Sequence, residues 1–205
     1  ETLGIMLLEG YGATEAGPVI AVNVPSGTRH GTVGRLLPDI EYRIEPHEGI
    51  TEGGVLHVRG PNLMKSYLHD VVEDRSSLDD GWYDTGDIVT VDADGYLMIK
   101  GRKKRFTKIA GEMISLGFIE DEIAKLSPEH HHAAIAIDNI EQGKPLLRLY
   151  TNDPDLTAAM IREHFSAERI PNTWLPREVI HMAELPVLRT GKVDYQALQK
   201  LAADQ

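Results

Sequence analysis

Two short stretches in the middle of the chain carry the residue types that a nucleotide site needs. Residues 82–87 read Trp-Tyr-Asp-Thr-Gly-Asp, so Asp87 follows a glycine directly, and Gly101-Arg102 comes after one predicted β-hairpin. A carboxylate at the start of a strand can accept hydrogen bonds from two ribose hydroxyls, as acidic residues do in dinucleotide sites of another fold. A turn aspartate that caps its own backbone is the alternative interpretation of Asp87. Together, the two stretches predict a nucleotide site at a domain boundary.

A second stretch, Tyr11 to Glu15, could serve the same ligand. It is predicted to follow an apolar strand at residues 5–8. Gly12 lets the backbone approach a ligand closely, and Tyr11 offers a ring face that could stack on a base. Thr14 supplies a hydroxyl for a phosphate oxygen, and Glu15 supplies a hard oxygen ligand for Mg²⁺. The alternative is a strand end followed by an ordinary polar turn.

Two further motifs carry charge or metal-binding side chains. Lys192 lies on a glycine-containing loop, which gives a mobile positive charge suited to a phosphate or a carboxylate. The loop is not a P-loop, because the upstream glycine and the following Ser or Thr are missing, and a surface lysine at a helix start is the alternative. His130 to His132 alternate faces if they lie on a strand, so we do not expect them to form a metal site.

The elements that must position these residues differ between the two halves of the chain. Residues 1–100 mostly predict short strands (40–44, 55–58, 88–91 and 96–99), a turn at 92–95 and a short helix at 61–68. Residues 101–205 predict helices at 118–126, 156–165 and 193–203 and strands at 133–137 and 147–150. The charge also changes: residues 70–94 hold nine acidic residues and one basic residue, whereas six of the nine residues at 100–108 are basic. We therefore predict two domains, 1–101 and 102–205.

Composition excludes several classes of function. The 205 residues carry a net charge of −11, which argues against a general nucleic-acid binder. With no cysteine, disulfides, thiolate metal sites and a cysteine nucleophile are excluded. No apolar run approaches the roughly 20 residues that span a bilayer, and we expect an intracellular setting because no secretory signal is present. Since the chain begins at Glu1 and enters an apolar stretch at once, we expect a fragment of a longer protein.

Taken in order, four motifs resemble those of the adenylate-forming superfamily, which includes acyl-CoA and acyl-carrier-protein synthetases, luciferases and peptide-synthetase adenylation domains. They are Tyr11 to Glu15 (aromatic-Gly-x-Thr-Glu), Tyr83 to Asp87 (Tyr-x-Thr-Gly-Asp), the hinge block from Gly101 to Glu120, and the lysine motif from Pro186 to Lys192. Residues 101–116 most resemble the bacterial bifunctional 2-acylglycerophosphoethanolamine acyltransferase/acyl-[acyl-carrier-protein] synthetases. The resemblance covers nearly the whole chain.

The resemblance implies an α+β fold, with the mostly-β end of a large adenylation domain at 1–101 and a small α+β lid domain at 102–205. It implies an acid–thiol ligase that forms an acyl-adenylate from a fatty acid and ATP with Mg²⁺. The phosphopantetheine thiol of acyl carrier protein would then displace AMP. In the full-length protein this activity would serve 2-acylglycerophospholipid reacylation (an acyltransferase step of phospholipid metabolism) at the cytoplasmic side of the bacterial inner membrane. The fragment alone is expected to be inactive.

The resemblance also implies a role for individual residues. The expected roles are adenine stacking by Tyr11, nucleotide approach at Gly12, phosphate binding by Thr14, Mg²⁺ binding by Glu15, ribose binding by Asp87 with Arg102 beside it, bridging of carboxylate and α-phosphate by Lys192, a hinge at Lys104 and a thiol path at Gly111.

Two alternatives stay open, and two departures from the family pattern matter. The basic run from Lys100 to Lys108 could steer an acidic carrier protein, but coenzyme A phosphates would suit the same run. The chain could therefore be part of a long-chain acyl-CoA ligase, or a non-catalytic module that docks a carrier protein. The family's Gly/Ser/Thr-rich phosphate loop and most of the acyl pocket are absent from this sequence. Lys103 to Arg105 also stand where many relatives have acidic residues.

Overall fold

The computed structural model describes residues 5–68, 73–74, 78–139 and 144–203. The chain divides into two compact units, Glu1–Lys104 and Arg105–Gln205, which we call the first and second units. The division lies three residues beyond the predicted boundary at 101/102. The predicted α+β class is confirmed, because sheets dominate the first unit and helices pack on a sheet in the second.

The first unit is built from short antiparallel strands. They are β1 (Gly10–Gly12), β2 (Val19–Val22), β3 (Arg35–Leu36), β4 (Glu41–Glu45), β5 (Gly54–Arg59), β6 (Tyr67–Leu68), β7 (Glu73–Asp74), β8 (Leu78–Asp79), β9 (Trp82–Val91) and β10 (Leu97–Arg102). One sheet has the order β1-β2-β3, and a second has β10-β9-β5-β4 with β8 on β9. Strand β5 is buried from Gly54 to Val58 because it lies between two neighbours, as its run of apolar residues predicts.

Strand β9 corrects the predicted position of Asp87. The strand begins at Trp82, so Asp87 lies inside it rather than at its start. Pairing with β5 shifts register here, since Val55 faces Ile88 whereas His57 faces Asp84. Gly86 adopts φ 69°, in the left-handed region that glycine tolerates. The Gly-Asp pair therefore marks a bulge, which continues the strand and places Asp87 opposite Arg102 of β10.

Two other predictions for the first unit are wrong. Residues 5–8 form no strand and are exposed, Leu7 by 86%. Residues 61–68 form a turn followed by β6 instead of a helix. Residues 61–68 do not form a helix because they bond to residues distant in sequence. Asn62 Nδ2 donates to the carbonyls of Ala16 and Val19, and the Met64 N–H donates to the carbonyl of Glu15. These bonds replace the local ones of a helical turn.

The second unit places helices on both faces of a three-stranded sheet. Its elements are β11 (Phe106–Ile109), β12 (Glu112–Ser115), α1 (Leu116–Leu126), β13 (His132–Asn139), β14 (Lys144–Thr151), α2 (Ala158–Ala167), β15 (Glu178–His181) and α3 (Tyr195–Ala203). The sheet order is β13-β14-β15, with β13 antiparallel and β15 parallel to β14. Ala134 packs with Ile119 of α1 and Phe165 of α2, whereas the neighbouring Ala133 packs with Leu198 of α3. This alternation follows from the two-residue period of a strand.

Helix starts in the second unit differ slightly from the prediction. Helix α2 begins at Ala158 instead of residue 156, and Thr157 Oγ1 caps it by accepting the Met160 N–H. Helix α3 begins at Tyr195 instead of Val193, because Val193 pairs with Val187. Within the described residues, every helix is too short or too polar to cross a bilayer.

Candidate functional site

Asp87 is the centre of a polar cluster in the first unit. Its Oδ2 accepts a hydrogen bond from the Tyr11 hydroxyl at 2.5 Å, and its Oδ1 lies 2.6 Å from Arg102 Nε. Tyr11 comes from β1 of one sheet, while Asp87 and Arg102 face each other on β9 and β10 of the other. The structure thus brings together three residues that the sequence predicted for one nucleotide site.

Burial and charge set the protonation of this cluster. Asp87 is 3% exposed, and burial raises its pKa, although the Tyr11 hydrogen bond and the Arg102 charge act in the opposite direction. Burial also raises the pKa of Tyr11 well above its ordinary value, so its hydroxyl stays protonated and donates. The Arg102 side chain is 64% exposed. Asp87 is therefore held on one oxygen by the half-buried Tyr11 and on the other by a guanidinium that faces solvent.

A surface cleft lies beside Tyr11. It has a volume of about 410 Å³, and its lining residues include Tyr11, Gly12, Thr14 and Pro18. Thr14 and Glu15 begin a 3₁₀ turn directly after β1, with Thr14 exposed and Glu15 half-buried. A hydroxyl and a carboxylate therefore lie on a turn next to a concave surface, which suits phosphate and Mg²⁺.

Gly12 has a structural role that the sequence did not reveal. A Cβ at this position would lie 1.7 Å from the Pro18 carbonyl oxygen. The chain's own backbone therefore requires a glycine here, whether or not a ligand approaches. Its predicted part in nucleotide binding stays a prediction.

The basic run at 100–108 is less available than the sequence suggests. Arg102 pairs with Asp87, and Lys103 Nζ lies 3.7 Å from Asp84. Arg105 is turned into the second unit, where it pairs with Glu120. Arg102, Lys103 and Arg105 thus each have an acidic partner inside their own unit. Lys104, the predicted hinge, is exposed at the last position of the first unit.

Gly111 lies at the tip of the β11–β12 hairpin. Ile109 pairs with Glu112, so Ala110 and Gly111 form a two-residue turn, and both have positive φ (52° and 91°) as in a type I′ turn. A Cβ at Gly111 would meet nothing within 4 Å. Glycine is therefore favoured at position 111 by the positive φ and not by crowding within the second unit. The thiol path predicted here stays a prediction.

Lys192 lies on a tight loop whose backbone is held at both ends. Val187 pairs with Val193, and the Leu188 N–H donates to the Lys192 carbonyl at 2.7 Å. Gly191 turns the loop at φ 80°, and the Lys192 side chain is exposed. A fixed backbone therefore carries a mobile ammonium group. Lys192 and Gly111 belong to the second unit, whereas the Asp87 cluster belongs to the first.

The histidine run serves hydrogen bonding within the fold. His132 is buried between Thr151 Oγ1 and the Ser127 carbonyl, each at 2.9 Å, and burial lowers its pKa. Among the described residues, no three His, Asp or Glu side chains are grouped to hold a metal ion. Glu15 would supply a single carboxylate, which is enough because Mg²⁺ usually takes one or two carboxylates together with substrate phosphates.

Two residues, Asn62 and Glu120, make contacts that the sequence did not predict. Asn62 donates both to the end of the Thr14–Ala16 turn and to Val19, the first residue of β2. Glu120 is the last residue of the predicted hinge block, and its carboxylate accepts hydrogen bonds from Arg105 and from the Ala134 N–H. Neither partner set is close in sequence, so no local pattern could have shown it.

The chain is similar to several known proteins. Residues 1–68 match the family of AMP-binding enzymes. The indoleacetate–CoA ligase of Aromatoleum aromaticum is 31% identical over 98% of this chain, and the long-chain-fatty-acid–CoA ligase of Yersinia pestis is 33% identical over 94%. The chain spans 41% and 35% of the length of these two relatives.

The fold has a close match among solved structures. ATP-bound MatB from Rhodopseudomonas palustris superposes with a TM-score of 0.81 at 26% identity, covering 98% of this chain and 41% of MatB. The likeness therefore extends over both units. Family match, relatives and fold together support the assignment of this chain to the adenylate-forming, or AMP-binding, superfamily.

Proposed function

We propose that the protein carrying this chain is an ATP-dependent acid–thiol ligase that joins a fatty acid to coenzyme A. The observation that carries the proposal is the Asp87 carboxylate, which Tyr11 and Arg102 hold beside a cleft in the first unit. The named activities of the relatives support this reaction class. Because the chain spans less than half of those relatives, the proposal concerns the full-length protein.

The Asp87 cluster fits a ribose. Each carboxylate oxygen has two acceptor sites, so Asp87 can accept ribose hydroxyls while Tyr11 still donates to it. Arg102 must share or leave its position, and its exposed side chain allows this. Tyr11 and Thr14 line the cleft that would take the base and the phosphates. This assignment keeps the predicted role of each residue and adds the Tyr11 hydroxyl as a support for Asp87.

The proposed chemistry has two balanced steps. In the first, a carboxylate oxygen of the fatty acid attacks the α-phosphorus of ATP, and the bond to pyrophosphate breaks. In the second, the coenzyme A thiol gives up its proton to solvent and attacks the acyl carbon, and the bond to AMP breaks. Lys192 would offset the repulsion between two anions in the first step, an effect of about 10²–10³ in rate. Mg²⁺ held with the help of Glu15 would neutralise further phosphate charge.

Coenzyme A is favoured over acyl carrier protein as the acceptor. The two relatives named above are coenzyme A ligases. Within the basic run that would attract an acidic carrier protein, Arg102, Lys103 and Arg105 are engaged by acidic residues of their own units. The test offers each thiol separately to the full-length protein with ATP and a long-chain fatty acid. We expect thioester with coenzyme A. Thioester with acyl carrier protein alone would restore the synthetase interpretation, with its link to phospholipid reacylation at the inner membrane. No thioester with either thiol would overturn the proposal.

Lys192→Ala separates the two steps. We expect carboxylate-dependent pyrophosphate exchange to fall at least ~100-fold, because the charge that bridges the anions is lost. Thioester formation from preformed acyl-adenylate should be spared. Lys200→Ala, at another exposed lysine of the second unit, is the control. Wild-type exchange in Lys192→Ala would rule out the role given to this residue.

A further inference from the structure

A buried carboxylate in the second unit joins three separate segments of the chain. Glu120 Oε1 accepts hydrogen bonds from Arg105 Nη2 at 2.6 Å, from the Ala134 N–H at 2.7 Å and from the Tyr195 hydroxyl at 3.2 Å. Its side chain is 16% exposed. Arg105 also stacks on the Tyr195 ring, 3.8 Å from its centroid, and donates to the Ala134 carbonyl. We call Arg105, Glu120 and Tyr195 the Glu120 clamp.

The Tyr195 hydroxyl remains a hydrogen-bond donor to Glu120 at neutral pH. Burial raises the pKa of Tyr195 to about 12, and the neighbouring charge of Glu120 acts in the same direction. The hydroxyl therefore stays protonated at neutral pH and donates to the carboxylate. A planar guanidinium above the ring completes a geometry that lysine at position 105 could not reproduce.

The clamp lies next to the loop that carries Lys192. Tyr195 is three residues beyond Lys192 and begins α3. Between them, the Asp194 N–H donates to the Pro186 carbonyl at 2.8 Å and closes the loop. At the other end of the clamp, Arg105 is the first residue of the second unit. The loop that carries Lys192 is thus connected, through Tyr195 and Glu120, to Arg105 at the start of the second unit.

We propose that Arg105, Glu120 and Tyr195 are positioning residues for Lys192. The inference rests on the proposed function, since it concerns the residue that would bridge carboxylate and phosphate. A lysine side chain is long and flexible, so only its backbone can be fixed in advance. A displacement of about 1 Å at a reacting group can cost ~10²-fold in rate. A buried ion pair is weak evidence for stability, whereas this one ends on Tyr195, the first residue of α3, three positions beyond Lys192.

Tyr195→Phe is the sharpest variant, because it removes the hydroxyl and keeps the ring beneath Arg105. Its matched control is Glu122→Gln, on the same helix. Glu122 is also buried, but it pairs with Lys125 at 2.6 Å and with His164 at 3.0 Å, away from the Lys192 loop. Tyr195→Phe thus weakens the cluster around Glu120, which includes a residue of α3. Glu122→Gln weakens a separate cluster on the same helix α1, whose partners Lys125 and His164 lie outside α3.

In the full-length protein we expect Tyr195→Phe to lower kcat for carboxylate-dependent pyrophosphate exchange ~10-fold. KM for ATP and thioester formation from preformed acyl-adenylate should stay near wild type, and Glu122→Gln should resemble wild type in every assay. A merely structural role would instead lower both half-reactions together. Wild-type kcat in Tyr195→Phe, or an equal loss in Glu122→Gln, would overturn the proposal.

Hydrogen exchange tests the clamp without any activity. The Leu188 and Asp194 amides donate within the Lys192 loop. We expect them to exchange ~10-fold faster in Tyr195→Phe than in wild type. In Glu122→Gln they should be unchanged. Unchanged exchange in Tyr195→Phe would refute the clamp. If wild-type protein shows no pyrophosphate exchange, the proposed function fails, and the exchange of these two amides still decides the positioning role.

Discussion

Asp87 shows how one residue acquires its chemistry from three strands. The bulge at Gly86 sets its direction, β10 places Arg102 opposite it, and β1 brings the Tyr11 hydroxyl to its other oxygen. The motif around residues 82–87 pointed to Asp87 and its arginine neighbour. The Tyr11 contact spans 76 positions, and local patterns carry no information about such pairs.

Asp87→Asn tests the ribose site directly. The amide keeps the shape of the carboxylate but loses its charge, and a hydrogen bond to a charged group contributes about 1.5–3 kcal/mol. We therefore expect KM for ATP in the full-length protein to rise ~10-fold to 100-fold. Asp94→Asn, whose side chain is 61% exposed and pairs with Arg29, is the control. An ATP KM equal to that of the control would exclude Asp87 from nucleotide binding.

At the scale of elements, the sequence predicted the strands and helices whose faces repeat regularly. Helix α1 and strands β13 and β14 follow their apolar pattern closely. The pattern failed where contacts from distant sequence decide the structure. Residues 82–87 belong to strand β9 because a bulge in its pairing with β5 accommodates the positive φ of Gly86. Residues 61–68 leave the helical path because their polar groups bind the Thr14–Ala16 turn and its neighbour Val19.

Asn62→Ala measures how much the Thr14–Ala16 turn depends on its hydrogen bond with Asn62. The substitution removes two donated hydrogen bonds and leaves the Ala16 and Val19 carbonyls without them. Ala16 is fully buried, whereas Val19 is exposed. Loss of a partner from a buried acceptor costs about 1–3 kcal/mol, so we expect the free energy of unfolding of the first unit to fall by that amount through Ala16. Chemical denaturation gives the value, with the exposed Asn172 replaced by alanine as the control. A change below ~0.5 kcal/mol would show that the turn holds without Asn62.

The Ser127–Asp153 contact predicts a pH dependence in the second unit. Ser127 donates to Asp153 at 2.6 Å, and the Asp155 N–H donates at 2.8 Å; both hold the pKa of Asp153 below its ordinary 3.8. A lowered folded-state pKa contributes stability above pH 3.8 and loses it as the pH falls through the folded value. Ser127→Ala should raise that pKa toward its ordinary value, so the variant should be less stable than wild type near neutral pH and should lose less stability as the pH falls below 3.8. Denaturation midpoints between pH 2 and 6 check this, and an unshifted profile would contradict it.

At the scale of the whole molecule, the two units each bury their own core. Leu56, Val89 and Leu97 belong to the core of the first unit, whereas Ile119 and Phe165 belong to the second. The sequence indicated this division through the charge switch and the Gly-Arg junction. It placed the boundary three residues early, because Arg102 still pairs with Asp87 in the first unit and only Arg105 turns into the second.

Separate cores predict separate responses to mutation. Phe165 is fully buried, and Phe165→Ala should lower the stability of the second unit by about 3–5 kcal/mol. Because no residue of its core cluster belongs to the first unit, we expect the first unit to keep its wild-type stability. Leu56→Ala is the reciprocal variant, with an expected loss of about 2–5 kcal/mol in the first unit only. Native-state hydrogen exchange of the two units reports both values, and equal losses in both units would show that the chain unfolds as one cooperative body.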